Sequence, residues 1–251
     1  MIQLKHKLLI TTLLGIISFT NNGWSQSPFQ VGISMGPTIP QSEFKQTTTN
    51  SNNSGYATSG FSLNVDADYY LNDFFAVTAR FNYANAGINK NAIIETLDAR
   101  MADYIIEDQT RYDIGAWNWN TLGVGFKANI PLVRNRFSAV AGFFPGLSIP
   151  FVPGMDMKID DEENNLEYVS QSIKETNVSF SWMTDLSFQF QINSQMQLLL
   201  RGSYYQSNIE FNHISYTRKK NLNEIDQLLD DKLFQIPIKT ISTTIGFIYY
   251  L

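Results

Sequence analysis

Apolar and polar residues alternate with a period of two along most of this chain, and the alternation falls into eight segments. A period of two marks a β-strand whose two faces meet different surroundings. The segments span 28–39, 59–71, 74–86, 116–130, 136–151, 177–192, 195–210 and the last fifteen residues. In the second, Phe61, Leu63, Val65, Ala67 and Tyr69 stand opposite Ser62, Asn64, Asp66 and Asp68. In the last, Ile241, Ile245, Phe247, Tyr249 and Leu251 alternate with Ser242, Thr244, Gly246 and Tyr250. Each segment is long enough to cross a bilayer at a tilt, which takes about 9–11 residues. Strands of soluble sandwiches average about 5–6. A terminal strand this apolar needs a partner, and closing the sheet on its first strand supplies one. Pro145 in the fifth segment predicts a bulge or a gap in its ladder.

The connections alternate in length. Long ones cover roughly 40–58, 87–115, 152–176 and 211–236, while short ones lie at Asn72-Asp73, Pro131–Asn135 and Asn193-Ser194. Long loops on one side and tight turns on the other are the pattern of an outer-membrane barrel, loops outside and turns in the periplasm. The expected fold is therefore all-β, an eight-stranded antiparallel up-and-down transmembrane β-barrel with long extracellular loops. Two of those loops carry apolar residues at helical spacing. Ile93, Ile94, Leu97, Met101, Tyr104 and Ile105 predict a short helix over 91–106, and Leu222, Ile225, Leu228, Leu229 and Leu233 predict another over 221–234.

The first residues fit this picture. Lys5, His6 and Lys7 precede an apolar run from Leu8 to Phe19, and Gly23 and Ser25 supply small residues for a cut. This reads as a signal peptide over 1–25 followed by a barrel over 26–251, since the apolar run is too short to span a bilayer. Losing Lys5 and Lys7 leaves 16 basic against 23 acidic residues, a net charge of −7. That balance argues against nucleic acid as a partner. The chain has no cysteine, which excludes a disulfide framework and thiolate metal sites. Aromatic residues make up 14% of the chain, enough for girdles at both membrane interfaces.

If the apolar faces meet lipid, the other faces meet in the lumen. Their charged residues are Asp66, Asp68, Arg80, Lys127, Asp185 and Arg201, three acids and three bases. Charges in that space must pair. A three-residue connection at Asn72-Asp73 sets Asp66 opposite Arg80, and a similar one at Asn193-Ser194 is expected to set Asp185 opposite Arg201. These four residues are the expected lumen salt bridges. Eight strands enclose only enough room for side chains, so a plugged barrel is expected, with Ser, Asn, Gln and charged residues inside. Such a lumen argues against a soluble lipocalin-like carrier of apolar ligands.

Few residues carry candidate chemistry. His213 and Ser215 stand two apart near the end of the seventh strand, with Glu224 or Asp226 as an orienting acid. Outer-membrane lipid A deacylases look similar there. Against this, Tyr216 stands where those enzymes carry Asn, and strand parity turns both residues inward rather than to lipid. Asp160-Asp161-Glu162-Glu163 lacks the spacing of a calcium loop. Arg218-Lys219-Lys220 suits contact with lipopolysaccharide phosphates or simple solvation. No cofactor, metal or catalytic residue is expected.

The signal peptide, the eight amphipathic strands, the loop asymmetry and the C-terminal strand together resemble the small outer-membrane β-barrel proteins common in Bacteroidota. The likeness covers nearly the whole mature chain. It implies insertion in the cell outer membrane among lipid and lipopolysaccharide, as a monomeric barrel with a protein partner at the extracellular loops. That family includes adhesion and structural barrels and secretion components similar to PorT. Two non-enzymatic roles are therefore expected: a structural or partner-binding barrel first, then an accessory of a transport or secretion complex. A lipid A hydrolase stands third.

Overall fold

The computed structural model describes residues 28–47, 54–101, 110–133, 136–161, 166–172, 177–211, 214–220, 223–230 and 234–251. The expected signal peptide, 1–25, lies outside them. Among the described residues are thirteen strands. Eight form a closed barrel, in the order β1 (Phe29–Pro40), β13 (Phe234–Tyr250), β10 (Met196–Phe211), β9 (Ser179–Gln191), β6 (Phe137–Phe151), β5 (Trp117–Val133), β3 (Phe75–Ala86) and β2 (Gly60–Tyr70). Every pairing is antiparallel, and β1 closes on β13, with Gln30 opposite Tyr250 and Pro40 opposite Thr240. The strands coincide with the eight alternating segments to within a few residues.

The alternation sorts the side chains as expected. In β1, Gln30, Ser34 and Thr38 are buried while Phe29, Val31, Ile33, Met35 and Ile39 are exposed. Around the barrel the outward positions are apolar and bare, with Leu122 63% and Phe126 65% exposed. An apolar surface this extensive would be unstable in water and is stable in lipid. Phe29 packs edge-on against Tyr69 at the turn end of the barrel. Nearer the loop end, the outward Trp182 packs against Phe143 and Tyr204.

Two three-residue turns set the hairpin registers. The Asn72 side chain accepts hydrogen bonds from the Phe74 and Phe75 N–H groups, and Leu71 N–H donates to the Phe75 carbonyl. In the matching turn Asn193 accepts from Gln195 N–H, and Ile192 N–H donates to the Met196 carbonyl. The side-chain amide thus does locally what a backbone carbonyl does in a turn. In the β5–β6 ladder, paired positions are missing between Gly123–Gly146 and Phe126–Phe143, which leaves the gap at Pro145.

The long loops hold more strand than their sequences suggest. A helix, α1 (Lys90–Met101), covers the described part of the first expected helix, and residues 102–106 lie outside the described set. The second expected helix is instead a strand, β12 (Asn223–Asp230). Strand pairing overrides the helical spacing there, because β11 (Ile214–Lys220) lies antiparallel beside it. Together with β8 (Leu166–Ser172), β7 (Met155–Asp161) and β4 (Thr110–Ile114) they form a second sheet, ordered β12-β11-β8-β7-β4. Each of these strands is the sequence neighbour of a barrel strand in the series β13-β10-β9-β6-β5, in the same order. The second sheet is therefore built from the loop-side segments of five consecutive barrel strands.

Candidate functional site

Three layers fill the lumen. The middle one is the charged layer. Asp66, on β2, faces Arg80 on β3 directly across the ladder, and Arg80 Nε lies 2.7 Å from its carboxylate. Lys127 Nζ on β5 reaches the same carboxylate at 3.0 Å, and Arg201 Nη2 on β10 also contacts it. Asp68 takes Lys127 Nζ at 2.8 Å on both of its oxygens. Asp185 lies 2.5 Å from Arg80 Nη1 and 3.4 Å from Arg201 Nε. Neither Asp185 contact has hydrogen-bond alignment, so charge proximity holds this carboxylate. All six residues are buried. Three acids and three bases leave the layer neutral, which is what low-dielectric burial demands.

The structure thus brings Asp66, Arg80, Asp185 and Arg201 into one network rather than two separate bridges. It also corrects the second register. Arg201 lies opposite Ser187, and Asp185 opposite Ser203, two residues away. The turn at 193–195 has the same length as the one at 72–74, so Ile192 pairs with Met196 and the two charges fall on a diagonal. A long arginine side chain spans that diagonal.

Below this layer, toward the turns, Gln197 Nε2 donates to the Tyr250 hydroxyl beside buried Gln30 and Gln189. Above it the lumen changes character. Phe144 covers the Arg80 guanidinium at 3.8 Å. Over that, Trp117, Trp119, Tyr205, Ile209 and Ile238 form an apolar cluster. Trp119 stacks on Tyr205, with ring centroids 5.9 Å apart. The Tyr205 hydroxyl donates to Ser148 Oγ at 2.7 Å, and Thr121 Oγ1 donates to the same oxygen at 3.1 Å. The expectation of a polar lumen therefore holds for the lower and middle layers and fails at the mouth. The sequence pattern begins this strand at 116, yet its faces were assigned only from Leu122 onward. Trp117 and Trp119 occupy the inward parity of that strand and were the available signal.

Phe44 completes the cluster and was missed altogether. It sits on a 3-10 turn, Ser42–Phe44, within the β1–β2 loop, and it is fully buried. Its ring packs edge-on against Trp117 at 5.4 Å and Trp119 at 6.0 Å. A lone Phe in a loop of Thr, Ser, Asn and Gln was the only trace of it in the sequence.

The hydrolase candidates do not converge. His213 lies outside the described residues. Ser215 stands opposite Leu229, whereas Glu224 stands opposite Lys219 and Asp226 opposite Arg218. Both acids are thus at least three strand positions from Ser215, about 10 Å along the ladder. Among the described residues no group of His, Asp and Glu could hold a metal ion. Asp160 and Asp161 end β7, and Glu162 and Glu163 lie outside the described residues.

The profile of the outer membrane protein beta-barrel domain matches residues 9–236, most of the chain. The chain belongs to that family. Family membership places this outer-membrane barrel in the outer membrane, with its outward apolar belt in the hydrocarbon. The chain is also similar to solved structures at very low identity. Neisserial surface protein A, NspA, matches at 10% identity and a TM-score of 0.45, covering 91% of this chain and 100% of that one. OprG from Pseudomonas aeruginosa matches at 10% identity and a TM-score of 0.47, covering 90% and 97%. A major outer membrane protein from Thermus thermophilus matches at 10% identity and a TM-score of 0.47, covering 91% and 100%. No curated protein matches this sequence significantly.

Proposed function

We propose that this outer-membrane barrel is non-enzymatic and acts as a structural or partner-binding protein through its extracellular face. The carrying observation is the second sheet, which ends on β12 and β4 without a further strand among the described residues. An unpaired strand edge offers a row of backbone donors and acceptors, and an extended segment of another protein can add to it. The lumen supports the same reading. Its ion layer closes the lumen to passage and leaves the wall, the loops and the mouth beneath them as the surfaces through which the protein can act. Lipid and lipopolysaccharide are the surroundings of the belt, with Arg218, Lys219 and Lys220 on β11 near the headgroups or beyond them.

The test replaces the β7–β8 and β11–β12 hairpins with short turns and leaves the barrel intact. The shortened protein should fold, shown by faster gel migration unboiled than boiled. It should also lose the surface cross-links formed by the full chain. Cross-links retained at periplasmic positions would favour an accessory role in a transport or secretion complex instead. Loss of lipid A deacylation on His213→Ala would overturn the non-enzymatic reading.

A further inference from the structure

The barrel wall does not fill its own mouth. The aromatic cluster of Trp117, Trp119, Tyr205, Ile209 and Ile238 closes only around Phe44, which comes from a loop and not from a wall strand. The loop folds over the cluster as a strap. Ala57 N–H donates to the Phe44 carbonyl, Gly55 N–H to the Glu43 carbonyl, and Trp117 Nε1 to the Gly55 carbonyl. The strap lies so close to Phe44 that a Cβ at Gly55 would come within 2.6 Å of its ring and carbonyl.

Two features set Phe44 apart from an ordinary core residue. Ser42, two residues before it, and Tyr56, on the returning limb of the loop, both have φ of 50°, and they are the non-glycine residues with positive φ among those described. The left-handed region is unfavourable for such side chains, so the strap that carries Phe44 is strained. The second feature is the Trp119 indole N–H. It is fully buried at the cluster and has no oxygen or nitrogen acceptor, and a phenyl ring offers an N–H at most its weak π face. Trp117 beside it does have one.

We propose that the mouth cluster is a binding site for a small aromatic molecule carrying a hydrogen-bond acceptor, and that Phe44 is a tethered occupant which this molecule displaces. Exchanging one ring for another keeps the apolar contacts with Trp117 and Trp119. The incoming acceptor satisfies the Trp119 N–H, and the freed strap relaxes at Ser42 and Tyr56. Water takes over the strap hydrogen bonds at the surface. The Glu43–Lys239 ion pair, 3.0 Å long and partly exposed, ties the strap down from outside the cluster. Entry is from the extracellular side, since Phe144 and the ion layer close the lumen beneath. The site binds a ligand without conducting it.

The test uses the full barrel in detergent, with folding checked by heat-modifiability. Benzamide presents a ring and a carbonyl, and toluene presents the ring alone. Both are compared at matched free concentration by tryptophan fluorescence. Because the chain has no cysteine, Gln46→Cys on the strap takes a single reporter label. The wild type should bind benzamide about tenfold more tightly than toluene, the worth of one hydrogen bond, and the label should move on binding. Phe44→Ala should tighten benzamide by about tenfold or more, and Glu43→Gln by about two- to fivefold, the worth of a partly exposed ion pair. Trp119→Phe should remove the preference for benzamide while toluene still binds. If Phe44→Ala does not fold, Glu43→Gln decides. Absence of benzamide binding to the wild type, equal binding of the two probes, or a label that stays still would show that Phe44 is a fixed core residue and overturn the proposal.

Discussion

Lys127→Met is the most informative single change in the lumen. Lys127 Nζ contacts Asp68 at 2.8 Å and Asp66 at 3.0 Å. The two carboxylates respond differently. Asp66 keeps Arg80 and Arg201. Asp68 is fully buried, and among the described residues Lys127 is its cationic partner, so the variant leaves a lone carboxylate in the barrel. Removing one partner of a buried pair costs about 3–5 kcal/mol. A Coulomb term of about 4 kcal/mol, for unit charges about 4 Å apart at an effective dielectric of about 20, agrees with that range. Lys127→Met with Asp68→Asn removes both charges and restores neutrality, so the double variant should recover to within about 1–2 kcal/mol of wild type. The assay is reversible urea unfolding in lipid vesicles, followed by gel mobility and tryptophan fluorescence. A single variant costing less than about 1 kcal/mol, or a double variant as unstable as the sum of the singles, would refute the assignment of Asp68 to Lys127.

Three further outcomes follow from the geometry. Leu122→Arg, on the lipid face near the middle of β5, should cost about 2–4 kcal/mol in the same vesicle assay. Gly246→Ala places a Cβ 1.9 Å from the Ile33 carbonyl at the β1–β13 closure, so it should destabilise the barrel by about 1–3 kcal/mol or more and slow its appearance in the heat-modifiable form. The Glu43 carboxyl is held below the usual range, first by hydrogen bonding to backbone at its own residue and then by the Lys239 ammonium. Its folded value is the lower one, so its contribution is complete above the unfolded value of about 4.3 and is lost as pH falls through the folded value. A label at Gln46→Cys should therefore report a closed strap from about pH 5 to 8 and opening only in stronger acid, a profile that Glu43→Gln abolishes.

The barrel was legible because its physics is one-dimensional. Lipid on one side and packed polar groups on the other write a period of two directly into β1, β2 and β3, and Asn72 marks its turn by its own side-chain chemistry. The charged set was legible too, because buried charges must balance. What escaped depended on distant chain. The diagonal between Asp185 and Arg201 follows from where the three-residue turn is centred, and moving that centre by one position displaces partners by two across the ladder. In β12, Ile225, Leu228 and Leu229 satisfy a helical spacing, and only the neighbouring β11 decides for a strand. The plug by Phe44 belongs to no periodic segment at all, so no pattern could announce it.

The second sheet stands over only part of the rim. Its strands adjoin β5, β6, β9, β10 and β13 in sequence, whereas among the described residues β1 and β3 lead into the Ser42–Phe44 turn, the isolated Ala57–Ile88 bridge and α1 rather than into further sheet. A plain cylinder can spin about its axis in a membrane with every bearing equivalent. This one has a sheet on one flank and a turn and a helix on the other, so its heading matters. A neighbour drifting in on the sheet side meets strand edges at its two ends, while one arriving on the other side meets the strap and the mouth. On the two proposals above, a protein segment and a small aromatic molecule would then approach one small barrel from different bearings.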